Sequence, residues 1–205
     1  ALEVVPLAMI GVEAWRNYQS SKAAPWVQAY KWAILCFIAV GFWNVVGAGL
    51  LGFSINTPIA LYYMQGLNMT AAHGHAALFG VYGMLGIGLM LFCLRGLSSR
   101  LAWSDRLLGA MFWLLNIGLA MMVFMSLVPA GIYQAWASIT QGMWFARSPE
   151  VVHSHFMETM VWLRVPGDIV FALGTLCLAW FALRLLMGQS SAQALPLTGV
   201  KARNA

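Results

Sequence analysis

The feature that most constrains this chain is a set of four long apolar stretches. They cover about residues 28–53, 71–94, 107–132 and 161–186. A helix needs roughly 20 apolar residues to cross a hydrocarbon core of about 30 Å, and each stretch reaches that length. The sequence therefore predicts an all-α membrane protein whose fold is a transmembrane helical bundle.

Composition supports this prediction. Hydrophobic residues make up 61% of the 205-residue chain and charged residues only 8%, whereas soluble domains carry about 25% charged residues. So few charges are incompatible with a surface that faces water. The three cysteines each lie inside an apolar run, so neither a disulfide framework nor a cysteine-based zinc site is predicted.

The two ends of the chain differ from the middle. Residues 1 to about 15 are apolar but too short to span, and they have no basic n-region of a signal peptide. They have the character of a truncated helix, so we expect the chain to be a fragment of a longer protein. Residues 1–187 are predicted to form the bundle fragment, and residues 188–205, which show no periodicity, a disordered cytoplasmic tail.

The basic residues predict the orientation of the bundle. Nine of the eleven lie in alternate connections or after the last span, and the positive-inside rule makes that side cytoplasmic. Their placement accounts for the net charge of +5 without a nucleic-acid partner. The span 71–94 then enters from the outside, which places its two histidines in the outer half of the membrane. The nine residues are Arg16, Lys22, Lys31, Arg95, Arg100, Arg106, Arg184, Lys201 and Arg203.

The candidate site is the motif His73–Gly74–His75 in the span 71–94. Each helical residue advances about 100°, so the two imidazoles point about 200° apart, to opposite faces. One metal ion could hardly collect both, whereas two separate ligands on either side of the helix require this arrangement. Neutral imidazole ligates haem iron, and an apolar macrocycle suits a membrane bundle. The alternative is that each histidine forms an interhelical hydrogen bond that only stabilises packing.

Two other motifs favour structural interpretations. His153 and His155 lie in an outer connection close to water, which favours solvated interfacial residues. Gly47, Gly49 and Gly52 spell G-x-G-x-x-G inside the span 28–53. Because no strand precedes these glycines, close helix packing is favoured over nucleotide binding.

Three segments resemble the catalytic subunit of bacterial nitric oxide reductases, in the haem–copper oxidase superfamily. The main one runs from Val46 to Phe92, "VGAGLLGFSINTPIALYYMQGLNMTAAHGHAALFGVYGMLGIGLMLF". "ALEVVPLAM" at residues 1–9 resembles a glutamate-bearing helix of that subunit. "WLRVPGD", residues 162–168, resembles the last core helix of the quinol-dependent, single-chain branch. The resemblance identifies the chain as the C-terminal part of the catalytic-subunit fold.

The resemblance implies a role for each site residue. His73 corresponds to the proximal ligand of the high-spin haem b3, and His75 to an axial ligand of the low-spin haem b. Glu3 corresponds to a catalytic glutamate that supplies protons near the non-haem iron, FeB. The ligands of FeB, three histidines and a glutamate, lie on helices outside this chain, as does the other axial ligand of haem b.

Asp168 is the second carboxylate within a span. In the quinol-dependent branch an aspartate on this helix helps to bind the quinol headgroup, which implies the same role here. Alternatively, Asp168 only pairs with Arg164 one turn earlier. Arg164 and Arg147 could also neutralise haem propionates.

The implied activity is reduction of nitric oxide in the bacterial inner membrane. Two NO molecules, two electrons from quinol and two protons give N2O and water. The chain could instead belong to a cytochrome c-dependent nitric oxide reductase. From a different class, the alternatives are a non-catalytic membrane protein that carries haem b for electron transfer, or a transporter whose histidines relay protons.

Overall fold

The computed structural model describes residues 4–97 and 103–187, and all regular structure in these ranges is helical. Glu3 and residues 188–205 lie outside them, so the predictions for this glutamate and for the tail stay predictions. In chain order, the helices are α1 (Val4–Ser21), α2 (Pro25–Ala29), α3 (Lys31–Asn56), α4 (Pro58–Met64), α5 (Asn68–Leu97), α6 (Asp105–Gln141), α7 (Pro149–Val152) and α8 (His155–Leu186).

Four helices, α3, α5, α6 and α8, are long and apolar enough to cross a membrane. This confirms the prediction of a multi-pass helical membrane protein, and each helix overlaps one predicted span. The helix ends differ from the predicted ones, most clearly in α6, which continues past about residue 132 to Gln141. At about 1.5 Å per residue, the 37 residues of α6 measure roughly 55 Å, well beyond a hydrocarbon core of about 30 Å.

Local sequence explains where several helices begin and end. The hydroxyl of Ser104 accepts a hydrogen bond from the backbone N–H of Leu107, and the hydroxyl of Ser154 accepts one from Met157. These two serines therefore cap α6 and α8. Gly142, with φ at +102°, follows the last residue of α6, and a backbone of that kind favours glycine at a helix end.

Glycines bring α6 and α8 into backbone contact. A Cβ atom added to Gly118 would lie 2.6 Å from the backbone nitrogen of Phe171, and one added to Gly174 would lie 2.9 Å from a side-chain carbon of Leu115. Lipid provides no hydrophobic force that joins helices, so this close van der Waals contact stabilises the pair.

The α3–α5 pair packs in a similar way. A Cβ added to Gly47 would lie 2.7 Å from Ala76, and one added to Gly80 would lie 2.5 Å from the ring of Trp43. Trp43 is buried and donates its indole N–H to Asn116 on α6 at 2.9 Å, which ties a third helix to the pair. The prediction that the glycines of α3 serve close packing is confirmed for Gly47.

Candidate functional site

The two histidines of α5 contact different helices. Nδ1 of His73 lies 2.8 Å from the carbonyl oxygen of Gly47 on α3. His75 faces α8, where its Nε2 lies 3.3 Å from a terminal guanidinium nitrogen of Arg164. The imidazoles thus lie on opposite sides of one helix, as their spacing predicts.

The hydrogen bonds determine which nitrogen of each ring carries the proton. Nδ1 of His75 lies 2.9 Å from the carbonyl oxygen of Ala71 in its own helix, and Nδ1 of His73 has the Gly47 carbonyl described above. A carbonyl oxygen can only accept, so each Nδ1 carries a hydrogen. In a neutral ring the lone pair is then on Nε2, and Arg164 donates to that atom of His75. Metal-ligating histidines use this arrangement, in which one nitrogen donates to a carbonyl and the other binds the metal.

Helix geometry places the Gly47 carbonyl next to His73. Residues Asn44–Leu51 of α3 form a π-helical segment, and Gly52 N–H donates to the carbonyl oxygen of Gly47 five residues earlier. That oxygen therefore accepts from both Gly52 and His73. A Cβ added to Gly52 would lie 3.0 Å from Cε1 of His73, so the ring lies against bare backbone. In α5 a second π-helical segment, His75–Gly83, begins at the second histidine. Such segments are frequent at functional sites.

Arg164 and Asp168 form the polar group beside His75. Nε of Arg164 lies 3.3 Å from Oδ1 of Asp168, and the two side chains are 38% and 46% exposed. The i, i+4 ion pair that was the alternative interpretation of Asp168 is therefore present. The guanidinium contacts both His75 and Asp168, so the three side chains form one chain of hydrogen bonds from α5 to α8.

The donor set fits axial ligation of two haem irons. Each side of α5 offers one imidazole whose Nε2 has a lone pair, and a neutral imidazole of this kind could ligate a haem iron. A shared metal ion does not fit, because the part of the chain that the structure describes contains no group of three or more histidine, cysteine, aspartate or glutamate side chains suited to one. The residues present therefore match two separate irons and provide no FeB site.

The remaining candidates lie apart from this site. His153, in the connection before α8, and His155, the first residue of α8, are both exposed, in keeping with solvated residues. Arg147 donates to the carbonyl oxygen of Met143 at 2.6 Å and to that of Gln65, so its guanidinium joins the connection after α6 to the connection after α4. Glu3 is outside the described ranges.

Two features of the site were missed by sequence reasoning. The Gly47 carbonyl is a backbone group, so no side chain marks it in the sequence. The only signal was that several glycines lie close together in its span, which indicates that another helix packs closely there. The contact between Arg164 and His75 joins residues 89 positions apart. Both lie in the first third of their helices, which was the available signal, but helix adjacency cannot be read from a single sequence.

Comparisons with known proteins show which family the chain resembles. The family model described as cytochrome c and quinol oxidase polypeptide I matches residues 1–170. The chain is also similar to a subunit of the nitric oxide reductase of Stutzerimonas stutzeri, with 31% identity over 142 residues, which is 64% of this chain and 28% of the relative. The matched part thus spans little more than a quarter of the relative's length.

Proposed function

The chain belongs to the cytochrome c and quinol oxidase polypeptide I family, and on that basis we propose that it is the C-terminal part of a nitric oxide reductase. The name of its relative, a nitric oxide reductase subunit, supports this activity. The reaction is the two-electron reduction of two NO molecules to N2O and water, and the location is the bacterial inner membrane.

His73 and His75 are the residues that would hold the cofactors. His73 would ligate the high-spin haem b3 and His75 the low-spin haem b, each through Nε2. When bound, these irons supply electron transfer and the binding of NO. The carbonyl oxygens of Gly47 and Ala71 hold the two Nδ1 protons and thereby orient the rings. Because Arg164 contacts Nε2 of His75, ligation requires its guanidinium to move aside.

Quinol is the proposed electron donor. Asp168 lies in the first half of α8 and is about half exposed, so its carboxylate can accept a hydrogen bond from a quinol hydroxyl and take up the proton that oxidation releases. Arg164 beside it holds the carboxylate in place through their ion pair.

A cytochrome c-dependent enzyme is the second candidate. The relative is named as a subunit, which favours an enzyme in which a separate protein delivers electrons. Purified enzyme reduced by quinol alone supports the first candidate, and reduction only by a cytochrome supports the second.

The remaining parts of the active centre come from outside the described residues. Glu3 is proposed to deliver protons near FeB. The ligands of FeB and the second axial ligand of haem b are expected in the remainder of the same polypeptide or enzyme.

The observation that carries the proposal is the pair of Nε2 lone pairs on opposite sides of α5. The test is the reduced-minus-oxidised spectrum of the intact enzyme, which should contain two haems b, one of which binds CO or NO. His75→Ala should remove the low-spin haem and leave the high-spin signal. His153→Ala, in the other His-x-His motif, is the matched control and should change neither.

Each other result has a distinct meaning. Joint loss of both haems in His75→Ala contradicts the assigned roles. A single low-spin haem in the parent enzyme indicates a non-catalytic electron carrier, and the absence of haem indicates a transporter.

A further inference from the structure

We propose that Gln134 on α6 is a positioning residue that sets the rotation of α5 and thereby the orientation of the His75 imidazole. This inference rests on the proposed function, because it concerns the ring that would ligate the low-spin haem. Gln134 bonds Asn68 and neither histidine among the hydrogen bonds of the described residues, so it acts through the first turn of their helix.

The side chain of Gln134 caps α5 from a neighbouring helix. Its amide oxygen accepts hydrogen bonds from both the backbone N–H and the side-chain amide of Asn68, each at 3.0 Å. Asn68 is the first residue of α5, and the preceding residue, Leu67, makes no side-chain cap. The first backbone N–H groups of a helix have no partner within it, so this bond satisfies one of them. Gln134 itself is buried, with 7% of its surface exposed.

Two further contacts on the same face of α6 hold the start of α5 and the short helix α4 that precedes it. Gly131, one turn before Gln134, lies so close that an added Cβ would be 2.5 Å from the backbone nitrogen of Met69. One turn after it, the hydroxyl of Ser138 donates to the carbonyl oxygen of Tyr63 at 2.8 Å. Residues 131, 134 and 138 thus fix the start of α5 and the chain that leads into it.

The two histidines depend on this anchor to different degrees. His73 donates from Nδ1 to Gly47 on α3, so a second helix holds its ring. His75 donates from Nδ1 to Ala71 on α5 itself. Its ring therefore follows any rotation of α5. Arg164 contacts His75 only through Nε2, the nitrogen that an iron would occupy. Loss of the Gln134 anchor should thus perturb the ligand of the low-spin haem more than the ligand of the high-spin haem.

The experiment compares three variants of the full-length, haem-loaded enzyme by electron paramagnetic resonance and by CO binding. Gln134→Leu keeps the approximate size of the side chain but removes the acceptor. Its low-spin haem signal should shift and broaden, while the CO-binding fraction stays unchanged. Gln134→Glu retains oxygen acceptors and should restore the parent signal. Thr140→Val, an exposed position on α6 whose hydroxyl bonds only its own helix, is the control.

The outcomes separate this inference from the proposed function. A parent enzyme without a histidine-ligated low-spin haem contradicts the proposed function. If the parent enzyme contains that haem, an unchanged low-spin signal in Gln134→Leu overturns the role of Gln134. Equal disturbance of both haems overturns it too, as does a Gln134→Glu variant that lacks the parent signal. If Gln134→Leu does not accumulate, Asn68→Ala decides. It removes one of the two bonds and should give a smaller shift in the same direction, and an unchanged signal overturns the inference.

Discussion

Gly52 determines, by having no side chain, how closely the His73 ring can approach α3. The ring lies against its Cα and donates to the Gly47 carbonyl one turn away. The bond fixes the direction of Nε2, and the missing side chain leaves the space the ring needs. We therefore expect a methyl group at position 52 to disturb the position of the His73 ring more than it changes the stability of the helix.

Gly52→Ala is expected to disturb the haem held by His73. The added Cβ would meet Cε1 of that ring at 3.0 Å, and a ligand has to keep its position within about 0.5 Å. The CO-binding fraction should fall several-fold while the low-spin spectrum is retained. Gly86→Ala on α5, where an added Cβ meets nothing within 4 Å, is the control. An equal fall in both variants would show that the effect is not local.

Asp168→Asn tests the proposed donor site. The amide keeps the size of the carboxylate but loses its charge and its capacity to take up a proton. Turnover with quinol should fall by at least about tenfold, which corresponds to about 1.4 kcal/mol in the barrier. Turnover with a small-molecule reductant that reduces haem b directly should not change. If both rates stay at the parent level, Asp168 serves only the ion pair with Arg164.

The residue scale also shows what sequence reasoning can find. His73 and His75 were found because their relation is local, two positions along one helix. The pair of Arg164 and Asp168 was weighed for the same reason. Gln134 was missed because its role exists only when α6 lies against the start of α5.

Among the elements, α6 and α8 show how glycine determines helix packing. Gly118 and Gly174 lie at the points where the two backbones come closest. The apolar runs predicted that both helices exist, but they did not predict where the helices end. The polar turns that cap α6 and α8 lie outside the apolar runs, so the hydropathy pattern alone could not place those ends.

Gly118→Ala should destabilise the pair of helices. Its Cβ would lie 2.6 Å from the backbone nitrogen of Phe171, and overpacking of this kind typically costs about 1–3 kcal/mol. The thermal unfolding midpoint of the detergent-solubilised protein should fall. Gly96→Ala, where an added Cβ meets nothing within 4 Å, should leave it nearly unchanged. A midpoint equal to that of the parent would mean that the two helices accommodate the added methyl group without loss of stability.

At the scale of the whole molecule, the charge distribution predicts an orientation that the helix arrangement alone does not determine. Six of the eleven basic residues lie in the connection after α1, in the connection between α5 and α6, or near the helix ends that flank them. The turn after α6 is therefore expected on the outside, together with the start of α5 and its histidines.

Cysteine labelling tests this orientation. Gln141→Cys at the end of α6 should react with a membrane-impermeant maleimide added outside intact cells or spheroplasts. Ser20→Cys at the end of α1 should react only after the membrane is opened. Both positions are exposed, and the three native cysteines are first replaced by alanine. Labelling of residue 20 from the outside would reverse the topology and place the histidines near the cytoplasm.

The π-helical segment of α5 has a consequence for the two halves of that helix. A turn of this kind contains one more residue than an α-helical turn, so the half of α5 after Gly83 is out of phase with the histidine-bearing half by about 100°. Removing a single residue between His75 and Gly83 would bring the two halves of α5 back to the rotational phase of one continuous α-helix. It would also swing the half after Gly83, with Gly88, away from Cys36 and Phe37 on α3. A deletion that looks minor in the sequence would thus break an interface below the histidines without touching them.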